Sequence, residues 1–236
     1  MPTREQPTIP AIPADPMDWR PQVIQRSRHV PDIINPLVEP LWSGDRVIVH
    51  FKESERSDQW GDITVLDEFG DDALDLAPMA LDFVRRSVRA TDAVIDGIIT
   101  TEATGGGEGT VTVLQGHTQP LKKMFIGGRG SDVTFEPVKG GRHAGDPAFV
   151  ALDLLSIDGQ TLFDVPLLER KRLLEAAIEE SELVRLSPVV RPPLRTWFAT
   201  WRSAGLKGLM LKSSNSRYEP GGETSEWAVV ERMPRA

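Results

Sequence analysis

Cysteine is absent from this 236-residue chain. With it go disulfide scaffolds, thiol catalysis, iron–sulfur clusters and Cys-ligated zinc. Long apolar runs are missing as well. No stretch reaches the roughly 18 uninterrupted apolar residues of a membrane span, and the opening MPTREQPTIP lacks the basic-then-apolar layout of a secretion signal. A cytoplasmic protein with no membrane partner is the expectation. The four histidines, His29, His50, His117 and His143, stand too far apart to show metal spacing, and no metal site is read from them. Glycine clusters occur at 105–107, 127–130 and 140–141, but none has the strand-to-helix setting or the Lys-Ser/Thr ending of a phosphate-cradling loop. Motifs for Ser-His-Asp or paired-carboxylate hydrolysis are lacking too.

What remains is a chain with 39% hydrophobic residues, enough to build a sizeable core in one domain of ordinary size. Its net charge of −8 would argue against a nucleic-acid partner, because a phosphate backbone is bound by neutralising it. The charge is unevenly spread, however. Residues 53–82 hold ten acids and one base, whereas residues 185–217 hold seven bases and no acid. The second stretch (Arg185, Arg191, Arg195, Arg202, Lys207, Lys212 and Arg217) is a candidate anion-binding surface, and a solvated face is its plainer reading.

Seven of the 19 prolines fall in the first 31 residues, where apolar periodicity is also absent, so residues 1–30 read as a Pro-rich arm. Residues 31–236 then form the domain, with a Gly-rich insertion at about 103–147. Alternating or β-branched runs predict strands at 46–51, 62–66, 93–102, 110–114, 148–155, 206–212 and 226–231. Helical spacing predicts helices at 75–89, with Leu76, Met79, Ala80, Phe83, Val84 and Val88 on one face, and at 193–204, closed by Gly205. A third helix runs through Leu167, Leu174 and Ile178, with Asp164 as its expected cap. Asp158 and Gly159 suit a hairpin turn between Leu155 and Leu162. Strands and helices without regular βαβ alternation predict an α+β fold around antiparallel sheet.

Four segments, in order, form a pattern. They are EPLWSGDRVIVHF (39–51), VIDGIITTE (94–102), FVALDLLSIDGQTLFDVPLLERKRLL (149–174) and GLKGLMLKSSNSRYEPGGETSEWAVVE (205–231). Together they resemble the nucleotidyltransferase domain of ATP-dependent DNA ligases, especially the bacterial type found in end-joining repair. The resemblance implies that family's nucleotidyltransferase (ATP-grasp-like) fold, with mostly antiparallel sheets and flanking helices. It also implies that the family's oligonucleotide-binding-fold domain lies outside this sequence.

Ligases of this family attack the α-phosphate of ATP with a lysine, forming a lysyl–AMP intermediate with Mg²⁺ held by carboxylates. The lysine opens the motif K-x-D-G-x-R, and the matching run here is Leu41-Trp42-Ser43-Gly44-Asp45-Arg46. Leu41 has no lone pair to offer. The resemblance places Ile98 and Lys207 at acidic, metal-linked positions, and Val229 and Glu231 at phosphate-binding lysines. The framework residues persist, among them Gly44, Arg46, Asp96, Gly97, Asp153, Gly208, Lys212, Ser216, Tyr218 and Trp227.

The expectation is a ligase-like domain, degenerate in adenylylation, that binds ATP or AMP with Mg²⁺ weakly, or nucleic-acid ends or a DNA-repair protein. Nucleotide-binding candidates are Glu39, Arg46, Asp96 and Lys212. Two alternatives stay open. One is an active ATP-dependent DNA ligase using a displaced lysine, for which Lys52, Lys122, Lys123 and Lys212 are candidates; the other is a protein-interaction module without a nucleotide.

Overall fold

The computed structural model describes residues 12–25, 32–55, 60–104 and 142–232. Its main sheet is built from β3 (Asp45–Lys52), β4 (Asp62–Asp67), β5 (Asp92–Thr100), β6 (Ala148–Ile157), β7 (Gln160–Thr161) and β8 (Val184–Leu186). The order is β4-β3-β5-β6-β7, antiparallel throughout, with β8 added parallel to β6. A second antiparallel sheet, β11-β9-β2, joins β2 (Pro36–Pro40), β9 (Leu209–Ser213) and β11 (Trp227–Val230). A short parallel pair links β1 (Val23–Ile24) to β10 (Glu223–Thr224). The fold is therefore mixed α and β with mostly antiparallel sheet, as the sequence pattern predicts.

Helix α1 (Pro78–Ser87) packs on β4, β6 and β8, α2 (Leu167–Ala177) on β6, and α3 (Leu194–Ser203) on β9. Val47, Val49 and Phe51 of β3 join Val65, Ile95 and Leu154 in the larger apolar cluster. Ile48, between them in sequence, joins Trp19, Val94, Leu155, Phe163, Tyr218 and Trp227 in the second. This is the period-two alternation of a strand buried on both faces.

The expected strands and helices within the described residues form, and the strand expected at 110–114 lies outside them. Their details differ in instructive ways. Helix α1 starts later than expected, with Pro78 in its first turn, and its buried positions are Ala80, Leu81, Val84 and Ser87. Leu76 and Met79, expected on the core face, are exposed.

Asp164 does not cap α2. It pairs instead with Arg217, while the helix's Leu167 and Leu168 N–H groups donate to the Ser216 and Ser214 carbonyls. The loop after β9 thus satisfies the free N–H groups at this helix end.

The Asp158-Gly159 turn is as expected, with both residues at positive φ between β6 and β7. Strand β2 escaped the sequence pattern because prolines stand at both ends. They are tolerated because β2 lies at the edge of its sheet. The Pro-rich segment read as an arm also departs from expectation over its described part. Trp19 is buried against Phe163, and Gln22 is buried, its backbone N–H donating to the Tyr218 hydroxyl at 3.0 Å.

Candidate functional site

The two sheets and the N-terminal segment meet around a cavity of about 220 Å³. Residues 21–24 form one wall, β2 and the turn after it supply Glu39 to Trp42, and β3 supplies Arg46. Ile98 of β5, Leu152 of β6, Met210 and Lys212 of β9 and Trp227 of β11 complete the lining, with Glu68 exposed at its edge. The lining is largely apolar. Leu41 and Ile98, the positions that the sequence resemblance assigns to the nucleophile and a metal ligand, both contribute to it.

The backbone of this wall is fixed by close approaches. Leu41 donates its N–H to the Gly208 carbonyl. A Cβ on Gly208 would lie 2.3 Å from the Val230 carbonyl oxygen, and one on Gly44 would lie 2.0 Å from that of Ile99. These glycines are needed for strand packing whether or not any chemistry takes place. Trp42 is held by a bond from its Nε1 to Ser187 Oγ at 3.1 Å.

Charge is concentrated at one point of the lining. Glu39 is buried, and its Oε1 lies 2.9 Å from Lys171 Nζ and 3.2 Å from Lys212 Nζ. Burial alone would raise the Glu39 carboxyl, but the two ammonium groups outweigh it and hold the pKa below its ordinary value. Burial pulls Lys212 below the usual lysine value; Glu39 opposes that shift and Lys171 adds to it. The Lys212 ammonium also sits 4.5 Å from the centre of the Trp227 ring.

Arg46 and Asp96, two further candidates, form a bidentate pair. Burial works against the Arg46 charge, and Asp96 more than compensates, so the guanidinium pKa is raised. Tyr218 donates from its hydroxyl to Asp96 Oδ2 at 2.7 Å. Asp96 is fully buried with both oxygens committed to Arg46 and Tyr218, and it is not among the described residues that line the cavity. Asp153 is spent in the same way on Arg170, at 2.9 and 2.8 Å.

These commitments bear on Mg²⁺, the ion the family pattern implies. Ile98 and Lys207 have no carboxylate, Asp96 and Asp153 are paired with arginines, Glu39 is paired with two lysines, and Glu68 stands alone at the exposed edge. Among the described residues no group of three His, Asp or Glu is arranged to hold a metal. The described residues do not fit the ion.

Lys52 ends β3 away from the cavity, opposite Asp92 and Asp62, and Lys122 and Lys123 lie outside the described residues. The basic stretch is dispersed. Arg195, Lys207 and Arg217 are exposed, Arg185 and Arg191 are half-buried, and Arg202 donates to the Leu206 and Lys207 carbonyls. Of its bases only Lys212 reaches the cavity.

The residue that sequence reasoning missed is Lys171. Its signal was present, since Leu167, Lys171, Leu174 and Ile178 follow helical spacing and three of the four are apolar. A lysine within a buried stripe calls for an anion, and Glu39 supplies it.

The model of the ATP dependent DNA ligase domain family matches residues 23–230. The chain belongs to that family. Similar proteins include the DNA ligase of Thermococcus fumicolans, 38% identical over 82 residues that make up 33% of this chain and 15% of that protein. The DNA ligase 2 of Methanosarcina mazei is 31% identical over 159 residues, 64% of this chain and 25% of its own. The DNA ligase of Pyrobaculum islandicum is 24% identical over 98% of this chain and 37% of its own. The ligase-family domain thus spans well under half the length of these relatives.

Among solved structures, the ligase domain of M. tuberculosis LigD has a TM-score of 0.59 at 18% identity, covering 92% of this chain and 60% of that one. A mycobacterial DNA ligase D complexed with ATP and MES gives 0.58 at 18%, covering 91% and 60%. The fold is that of the ligase nucleotidyltransferase domain. No helix among the described residues of this ligase-family domain is long and apolar enough to cross a membrane.

Proposed function

We infer that this is a ligase-family nucleotidyltransferase domain that holds a nucleotide without becoming adenylylated. The observation that carries the reading is the make-up of the cavity, where Leu41 and Ile98 stand at the positions assigned to the nucleophile and a metal ligand. Covalent transfer of AMP needs an unprotonated nitrogen at the α-phosphate. Lys212, the one lysine among the described residues of the lining, is ion-paired to Glu39 and packed on Trp227, and so is held away from that task. What the cavity retains is suited to binding. Apolar walls that include Trp42 and Trp227 suit a flat base, and Lys212 supplies a cation beside the Arg46–Asp96 pair.

The decisive experiment is incubation with Mg²⁺ and ATP labelled at the α-phosphate, followed by a denaturing gel. The expected result is no labelled protein band, together with a thermal shift on adding nucleotide. A covalent band would instead make the domain a working adenylyltransferase.

A second contact, with nucleic-acid ends, is favoured by exposed Arg195, Lys207 and Arg217 in a stretch without acids. One structure of this fold, a Lig E DNA ligase, is described in terms of DNA binding with a minimal scaffold. Through this surface the domain would mark or shield an end rather than seal it.

A further inference from the structure

The charges buried beside the cavity bear on which nucleotide it takes. Around the cavity wall, β2 contributes Glu39, α2 contributes Lys171 and Arg170, and β9 contributes Lys212. β3 contributes Arg46, β5 Asp96 and β6 Asp153. Arg46 with Asp96 and Arg170 with Asp153 are closed bidentate pairs that cancel internally. Lys171 and Lys212 share the single carboxylate of Glu39, and all three side chains are at most 3% exposed. Among the described residues of this cluster, one positive charge is therefore left over.

An unbalanced buried ammonium is destabilising unless an anion meets it. Lys171 Nζ and Glu39 Oε1, though in ionic contact, have no well-aligned hydrogen-bond partner among the described residues. Lys212 and Glu39 also line the cavity, so the surplus charge is presented to whatever occupies it. Glu68, the cavity's other acid, lies at the solvent-exposed edge, where water screens it.

A single phosphate monoester carries about −1.5 to −2 charge at neutral pH and matches one surplus cation backed by polarisable ion pairs. A triphosphate brings more negative charge, which phosphoryl-transfer sites neutralise with divalent metal and further cations. Here Asp96 and Asp153 are paired with Arg46 and Arg170 and Glu39 with two lysines, which leaves Glu68 alone at the exposed edge of the described lining.

We propose that the cavity is a metal-independent site for a nucleoside monophosphate, with the Lys171–Glu39–Lys212 cluster as its phosphate contact. This rests on the reading that the cavity holds a nucleotide. Lys212 meets the phosphate, Lys171 keeps Glu39 neutralised as Lys212 turns toward it, and the apolar wall around Leu41, Ile98 and Leu152 takes the base.

Isothermal titration of the full chain with AMP, ATP and adenosine, each in EDTA and in Mg²⁺, tests this. AMP should bind with an affinity that changes less than about twofold between EDTA and Mg²⁺, while ATP and adenosine each bind more weakly by about tenfold or more. Lys212→Met should weaken AMP by about tenfold or more without altering adenosine. This variant leaves Lys171 and Glu39 as a balanced pair, so its thermal unfolding stays cooperative, and Lys212→Arg should recover part of the AMP affinity. Tighter binding of ATP with Mg²⁺ than of AMP overturns the proposal and leaves the nucleotide reading standing. AMP binding unchanged in Lys212→Met overturns the role of the cluster. No heat and no thermal shift with AMP, ADP or ATP under any condition would remove the nucleotide reading itself.

Discussion

At the scale of the residue, the sharing of Glu39 by two lysines makes single substitutions unequal. Glu39→Gln leaves two buried ammonium groups facing a neutral amide, and loss of one partner from a buried pair costs about 3–5 kcal/mol. Lys212→Met removes only the surplus charge and should change stability by about 1 kcal/mol or less. Urea unfolding of the two variants measures the difference, and equal losses would refute the sharing of one carboxylate. Leu41 gives a second test. Leu41→Lys puts a lysine at the position that the resemblance assigns to the nucleophile but leaves Ile98, Lys207, Val229 and Glu231 where it assigns acids and lysines, so labelled ATP should still give no covalent band. His50 gives a third. Burial and, less strongly, Arg20 lower its pKa from 6.5 to about 4, against opposition from Asp15. The unfolded chain therefore binds the proton more readily between these values, and stability rises with pH from about 4 to 6.5. Allowing for the ring's partial exposure, the change is about 2 kcal/mol, and His50→Gln should flatten that limb of the stability profile.

At the scale of the element, what the sequence displays depends on whether a partner is near or far along the chain. Strands β3 to β6 were legible because their alternation is local, and the Asp158-Gly159 turn because its chemistry is confined to two residues. Strand β2 was hidden by Pro36 and Pro40, whose tolerance depends on an edge position that only the sheet order reveals. Asp164 read as a cap because local pattern cannot show that the Ser214 and Ser216 carbonyls arrive from a distant loop to do that work. The candidate site divides the same way. Leu41, Arg46, Ile98 and Lys212 could be read from motif spacing, whereas the pairing of Lys171 with Glu39 and of Asp96 with Tyr218 required the fold. The N-terminal segment shows the consequence for stability. Trp19 packs edge-on to Phe163 at 4.6 Å between centroids and donates its Nε1–H to the Pro13 carbonyl. Trp19→Ala should destabilise the whole domain by about 3–5 kcal/mol in urea unfolding. A dispensable arm would show no change.

At the scale of the whole molecule, the net charge of −8 hides two opposed regions, and how far each base is committed decides what the positive one can do. Lys212 is buried against Glu39, Arg185 is half-buried, and Arg202 is turned onto backbone carbonyls at the end of α3. Arg217 pairs with Asp164, but both side chains are well exposed, and such a surface pair contributes little and is readily exchanged for a phosphate. Arg195, Arg202, Lys207 and Arg217 are all exposed, and with Arg202 held on backbone carbonyls the other three are enough for about three phosphate contacts. Each phosphate neutralised on duplex DNA contributes about −0.9 to the slope of log K against log salt, so the slope should be about −3. Fluorescence anisotropy of a nicked duplex across a salt series measures it. Reversing the charge at Arg195 and Lys207 together should weaken binding and bring the slope to about −1, because only Arg217 then remains. A slope steeper than about −5 in the native protein would require phosphate contacts beyond these three residues, and would move the nucleic-acid surface away from the 185–217 stretch.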